Sequence, residues 1–87
     1  MNAHCYVYVL QSSRDGMFYV GFTKKLPERV RAHQGGLVFS TKHRRPLELV
    51  YWEGCLHQAD ATRREKYLKS TWGKRYIKSR LQSYLTG

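Results

Sequence analysis

Acidic residues are scarce in this chain. Six Asp and Glu face sixteen Lys and Arg, for a formal charge of +10 and a pI near 10.0. A surface that repels itself this strongly serves a polyanionic partner. The same scarcity leaves few carboxylates for any metal: Asp15, Glu28, Glu48, Glu53, Asp60 and Glu65. Cysteine is nearly absent. Cys5 and Cys55 alone exclude a disulfide framework. Their spacing with His57 fits no standard zinc finger, and His4 and Cys5, adjacent on a strand, point to opposite sides. Two small buried thiols are the expectation. No apolar run approaches the ~20 residues of a membrane span. The start, MNAHCYVYVL, lacks the basic region and cleavage site of a secretory signal. A cytoplasmic protein with no membrane partner is therefore expected. There is no repeat, Ser/Pro-rich linker or low-complexity segment, so residues 1–87 are expected to form one domain.

The remaining composition is enough to fold. Hydrophobic residues make up 41%, too many for a disordered chain, although 87 residues give only a thin core. Seven Tyr, three Phe and two Trp can fill that core and leave rings over for a binding surface. Aromatic content together with basic charge points to nucleic acid as the partner.

CYVYVL (5–10) and MFYVGF (17–22) have high β propensity and flank an Asp15-Gly16 turn, so they read as a hairpin. Thr23 is placed to cap a helix starting near Leu26, with Pro27 in its first turn and Gly35-Gly36 at its end. A cation-dense loop, LVFSTKHRRP, leads to a third strand over 47–53. A second helix is predicted over 58–69, with Gly73 separating it from a third over 74–85 that carries Tyr76, Ile77, Leu81, Tyr84 and Leu85 as an apolar stripe. The fold class is α+β, in the order β-β-α-β-α-α.

Helix faces single out three residues. Leu26, Val30 and His33 share the inward face of the first helix, with Arg29 at its edge, where a guanidinium can present several donors to a phosphate. Glu65 shares a face with apolar Ala61 and Leu68. A carboxylate there is costly unless it is paired or binds metal, so it reads either as a salt bridge into the core or as a metal ligand. Tyr8 and Tyr19 lie on the hairpin strands, where a hydroxyl can orient water or, with a lowered pKa, act as a base. Whether they share a face depends on hairpin register. Trp52 and Trp72 are expected in the core or at its rim, with base stacking as the alternative. Lys42, Arg44 and Arg45 in the loop and Lys66 and Lys69 on the second helix are the candidate backbone-phosphate contacts.

In order along the chain, Tyr6-Val7-Tyr8, Tyr19-Val20-Gly21, Leu26-Pro27-Glu28-Arg29-Val30, His33, Ser40-Thr41-Lys42, Arg45-Pro46 and Arg64-Glu65-Lys66 make it resemble a GIY-YIG endonuclease domain. The likeness is to the short, single-domain group related to the N-terminal nuclease domain of UvrC. It implies a three-stranded antiparallel sheet flanked by helices, with Gly21 as a structural motif residue. Tyr8, Tyr19, Arg29 and His33 take catalytic positions, and Glu65 holds one Mg²⁺ or Mn²⁺ ion. The implied activity is metal-dependent hydrolysis of phosphodiester bonds in DNA, with RNA left open. With no separate recognition domain, selection is expected by structure or strand more than by sequence, with a protein partner as one source of specificity. The chain departs from the pattern at Tyr6, where the motif has Gly. The late asparagine of many members has no counterpart, since Asn2 is the only asparagine. A weakly catalytic or inactive nucleic-acid-binding module, or an accessory domain recruited by a partner, therefore stands as the alternative.

Overall fold

The computed structural model describes residues 4–87; Asn2 lies outside them. The elements are β1 (Cys5–Ser12), β2 (Phe18–Thr23), α1 (Leu26–Gln34), a 3₁₀ turn (Lys42–Arg44), β3 (Leu47–Cys55), α2 (Gln58–Leu68), α3 (Thr71–Arg80) and α4 (Gln82–Thr86). The expected α+β order is observed, with short α4 added at the end. The sheet is antiparallel throughout, in the order β2-β1-β3. Thus β1, the most apolar strand, is central. Among the described residues no helix is long and apolar enough to cross a membrane.

The β1–β2 turn forms as its sequence dictates. Gly16 takes a φ of 72°. The Ser12 hydroxyl accepts from the amides of Arg14 and Asp15, and Asp15 accepts from that of Met17 at 2.9 Å. A bulge in β3 between the Val9–Tyr51 and Leu10–Leu49 pairs inserts Val50. The extra residue shifts the alternation, so Leu47 and Leu49 face α1 while Tyr51 and Glu53 face α2.

The sheet has two apolar faces. Tyr8, Leu10, Leu26, Val30 and Leu47 form the cluster under α1. Val7, Val9, Val20, Ala61, Leu68 and Ile77 form the one under α2 and α3. On that second side Arg64 donates through Nε and Nη2 to both oxygens of Glu53, at 2.7 and 2.9 Å, tying α2 to β3. Burial alone would raise the Glu53 pKa, but Arg64 and the Tyr51 hydroxyl together hold it below the ordinary value.

Several local expectations are corrected. Thr23 does not cap α1: Lys25 occupies the cap position without a side-chain bond, and the Thr23 hydroxyl instead accepts from the Lys25 amide at 3.0 Å. The α2–α3 break falls at Ser70, whose hydroxyl accepts from the Gly73 amide at 3.2 Å. Gly73 lies inside α3, pressed so closely on the end of α2 that a Cβ would overlap the Tyr67 carbonyl and the Leu68 backbone. Gly73→Ala is therefore expected to destabilise by about 2–3 kcal/mol, although alanine is the better helix former; urea unfolding measures it, and a neutral result would mean the joint is loose.

The apolar stripe of the third helix is divided. Leu81, at φ −103° and ψ 21°, ends α3 and starts α4. Ile77 is buried, Tyr76 and Leu81 half-buried, and Tyr84 and Leu85 exposed. Trp52 and Trp72 are not core residues. They are 56% and 66% exposed, because a chain this small cannot roof an edge strand and a first helical turn. Cys5 is buried as expected, whereas Cys55, its partner across β1 and β3, is half-buried.

Candidate active site

The hairpin register answers the question that the turn sequence left open. Tyr8 pairs with Gly21 and Leu10 with Tyr19, which puts both tyrosines on the α1 face. Their ring centroids are 6.4 Å apart. The Tyr8 ring lies directly over Gly21, where any Cβ would overlap its hydroxyl end. Gly21 is thus the seat of the Tyr8 ring.

From α1, His33 reaches into this face, with ring centroids 5.6 Å from Tyr8 and 5.0 Å from Tyr19. Its Nε2 lies 2.7 Å from the Tyr8 hydroxyl and its Nδ1 lies 2.7 Å from the Thr41 hydroxyl. Tyr8, His33 and Thr41 are all fully buried. Burial, reinforced by the Arg29 charge, lowers the His33 pKa from 6.5 to about 4. The imidazole is therefore neutral at neutral pH and carries one ring proton, so it donates to one hydroxyl and accepts from the other.

Arg29, half-buried one turn before His33, donates through Nε to the Tyr8 oxygen at 3.4 Å and also interacts with Tyr19. The Tyr8 pKa is raised, chiefly by burial. Tyr19 and Glu65 add to the rise, and Arg29 opposes it. Glu65, on α2, is the smallest contributor to that rise and acts only through its charge. It sits at the edge of the face that buries Ala61 and Leu68, half-buried and paired to Lys69 Nζ at 3.2 Å. Its pairing is along α2 and not into the core.

Among the described residues no three His, Cys, Asp or Glu side chains cluster to form a metal cage. A lone hard carboxylate nevertheless suits Mg²⁺, which keeps several waters and takes one or two carboxylates together with substrate phosphates. The residues present fit such an ion at Glu65.

The candidate phosphate contacts occupy different surroundings. Arg44 is committed to the fold: it pairs with Asp15 at 3.0 Å and donates to the Met17 carbonyl at 3.2 Å, stapling the loop to the hairpin. Arg45 donates to the Lys42 carbonyl at 3.1 Å, and its guanidinium packs against Gly36. Lys42 stands 4.9 Å over the Phe39 ring. Lys66 is exposed. Lys69 and Lys74 line a cleft of about 240 Å³ with Tyr19 and Leu68. Sequence reasoning gave no role to Thr41 or Lys74. Thr41 lies in a loop without periodicity, and its position in Ser40-Thr41-Lys42 was the only signal. Lys74 looked like an ordinary outward charge.

The buried His33 makes stability pH-dependent. Unfolded, the imidazole protonates near pH 6.5; folded, it stays neutral to about pH 4. Between those values unfolding takes up a proton, so stability is complete above pH 6.5 and declines as pH falls, by about 2–3 kcal/mol in total. Urea midpoints from pH 7 to 4 should show this slope in the native chain and lack it in His33→Gln. An unchanged slope would refute a buried neutral imidazole.

Residues 4–85 match the GIY-YIG catalytic domain. The chain is 38% identical over 65 residues to a UPF0213 protein of Clostridium perfringens, covering 74% of this chain and 69% of that one. It is also 38% identical over 71 residues to one from Staphylococcus epidermidis, covering 80% and 84%. A UPF0213 protein of Desulfotalea psychrophila is 35% identical over 66 residues, 74% of this chain and 59% of that one. No solved structure matches. The chain belongs to the GIY-YIG family. Its domain is of the nuclease type, which implies DNA as a binding partner, and nucleases of this family generally use a divalent metal.

Proposed function

We propose that this protein is a metal-dependent endonuclease that hydrolyses phosphodiester bonds in DNA, selecting structure or strand state more than sequence. The observation that carries the reading is the Tyr8 hydroxyl, held between His33 Nε2 and Arg29 Nε, with the Tyr19 ring beside it. Arg29 is a ready donor for a phosphate oxygen. With its O–H donated to neutral His33 Nε2, the buried Tyr8 oxygen keeps a lone pair that can take up the proton of a water admitted with the substrate while its own proton passes to His33. The proton relayed inward then rests on His33. Burial is the main cause of the low His33 pKa; a phosphate bound at Arg29 offsets the smaller part due to the Arg29 charge and to that extent favours this transfer. Half-exposed Tyr19 is a second hydroxyl for the phosphate. Glu65 would hold one Mg²⁺ or Mn²⁺ ion, which would supply Lewis-acid polarisation of a phosphoryl oxygen and offset charge on the leaving oxygen. Lys42, Arg45, Lys66, Lys69 and Lys74 supply the salt-dependent grip on flanking phosphates. Free Cys5 and Cys55, paired across two strands without a bond, suit a reducing, cytoplasmic setting. RNA and a specificity-giving protein partner remain within this reading.

The test is cleavage of plasmid, single-stranded and branched DNA with Mg²⁺ or Mn²⁺, comparing the native chain with Glu65→Ala and Arg29→Ala. Cleavage by the native chain alone supports the assignment. Equal cleavage by all three overturns the site. Tight, salt-sensitive binding without cleavage favours a binding module, the reading that the missing late asparagine leaves standing.

A further inference from the structure

The loop between α1 and the 3₁₀ turn carries the two most exposed large apolar side chains among the described residues, Leu37 at 82% and Phe39 at 84%. Single exposed apolar residues are commonplace. This pair differs in how it is held. Between them Val38 is buried, and Thr41 is fully buried on His33. The Leu37 amide donates to the Ala32 carbonyl at 2.9 Å, and the amides of Thr41 and Lys42 both donate to the Val38 carbonyl. The backbone is thus pinned at both ends and in the middle, while the two apolar side chains point outward. Two residues of chain span at most about 7 Å, so Phe39 lies within that reach of Thr41, which bonds the Nδ1 side of His33. Lys42 lies over the Phe39 ring, and Arg45 is fixed nearby by its bond to the Lys42 carbonyl.

We infer that Phe39 is a base-stacking platform for an unpaired nucleotide of the bound strand, with Lys42 and Arg45 on the adjoining backbone phosphates. A rigid, solvent-facing aromatic ring flanked by cations matches the chemistry of single-strand binding, where rings stack on bases of any identity and cations follow the backbone. In a duplex the base faces are already stacked, so the ring meets only edges and sugar. The platform therefore favours single-stranded or frayed substrate without reading sequence. Among polyanionic partners, an unpaired nucleotide alone uses both the flat ring and the spaced cations. The inference rests on the nucleic-acid part of the proposed function and gives a physical source for strand selection.

The test measures binding without metal, in EDTA, so that it does not depend on cleavage. Labelled oligo(dT), oligo(U) and a blunt duplex are titrated with the native chain, Phe39→Ala and Phe39→Trp. Stacking of one base predicts that Phe39→Ala loses about 5- to 150-fold in affinity for the single strands. Duplex affinity should stay within about twofold, and Phe39→Trp should bind single strands as well as the native chain or better. Because the ring is 84% exposed, the thermal midpoint of Phe39→Ala should be unchanged. Native-like single-strand affinity in Phe39→Ala would overturn the inference, as would equal loss on single strand and duplex. So would binding of phosphatidylserine vesicles that depends on Phe39 while oligonucleotide affinity does not. The two readings fail separately: Phe39-dependent binding without cleavage sinks the nuclease alone, and cleavage with unchanged binding in Phe39→Ala sinks the platform alone.

Discussion

Arg29→Ala should lower the cleavage rate constant by about 10²- to 10³-fold, the cost expected for removing one preorganised donor from a transition-state oxyanion. The geometry makes the loss specific. The Arg29 Nε donates to the Tyr8 oxygen and the same guanidinium interacts with Tyr19, so two tyrosines position it. Two further readouts follow from the same contacts. Arg29 is the main group opposing the rise of the Tyr8 pKa, and its charge helps to depress that of His33. In Arg29→Ala both values move up, so the acid decline in stability, which still begins near pH 6.5, ends at a higher pH and is smaller in total. Arg29→Lys keeps a charge but not the fork, and should recover the His33 depression more fully than the rate. A rate close to native in Arg29→Ala would remove Arg29 from the chemistry.

Gly21→Ala should cost about 1–3 kcal/mol of stability and at least about 10²-fold in rate. The reason is space, not backbone conformation, since the new methyl would occupy the volume of the Tyr8 ring. Overpacking accounts for the stability loss. The rate falls because a displacement of about 1 Å at the reacting groups is enough to do so. Displacing Tyr8 also strains its 2.7 Å bond to His33 Nε2. A double-mutant cycle tests the cause: in a Tyr8→Ala background the stability penalty of Gly21→Ala should largely vanish, because the ring it collides with is gone. An additive penalty would place the strain elsewhere.

Much of the site could be read from the chain because its residues sit on regular elements. Leu26, Val30 and His33 announced their shared face by helical spacing, and Arg29 and Glu65 stood out as charges at the edge of apolar stripes. The failures occurred where one residue type serves several purposes. Gly73 was read as a helix breaker, yet its use is close approach of two helices. Arg44 looked like its neighbours in a basic loop, and only the returning hairpin made it a structural pair for Asp15. Trp52 and Trp72 looked apolar enough for a core that the small fold could not extend to cover.

The sequence by itself determined the element order, the turn at Asp15-Gly16, the charge that calls for a polyanion and the family. Each of these depends on composition or on residues near one another in the chain. Tertiary structure decided what joins Tyr8 to Tyr19 and His33 to both Tyr8 and Thr41. Those relations depend on strand register and on helices crossing a sheet, set by packing over long separations. A one-residue slip in β2 would have sent Tyr19 to the opposite face. Side-chain spacing along the chain carries no record of that choice.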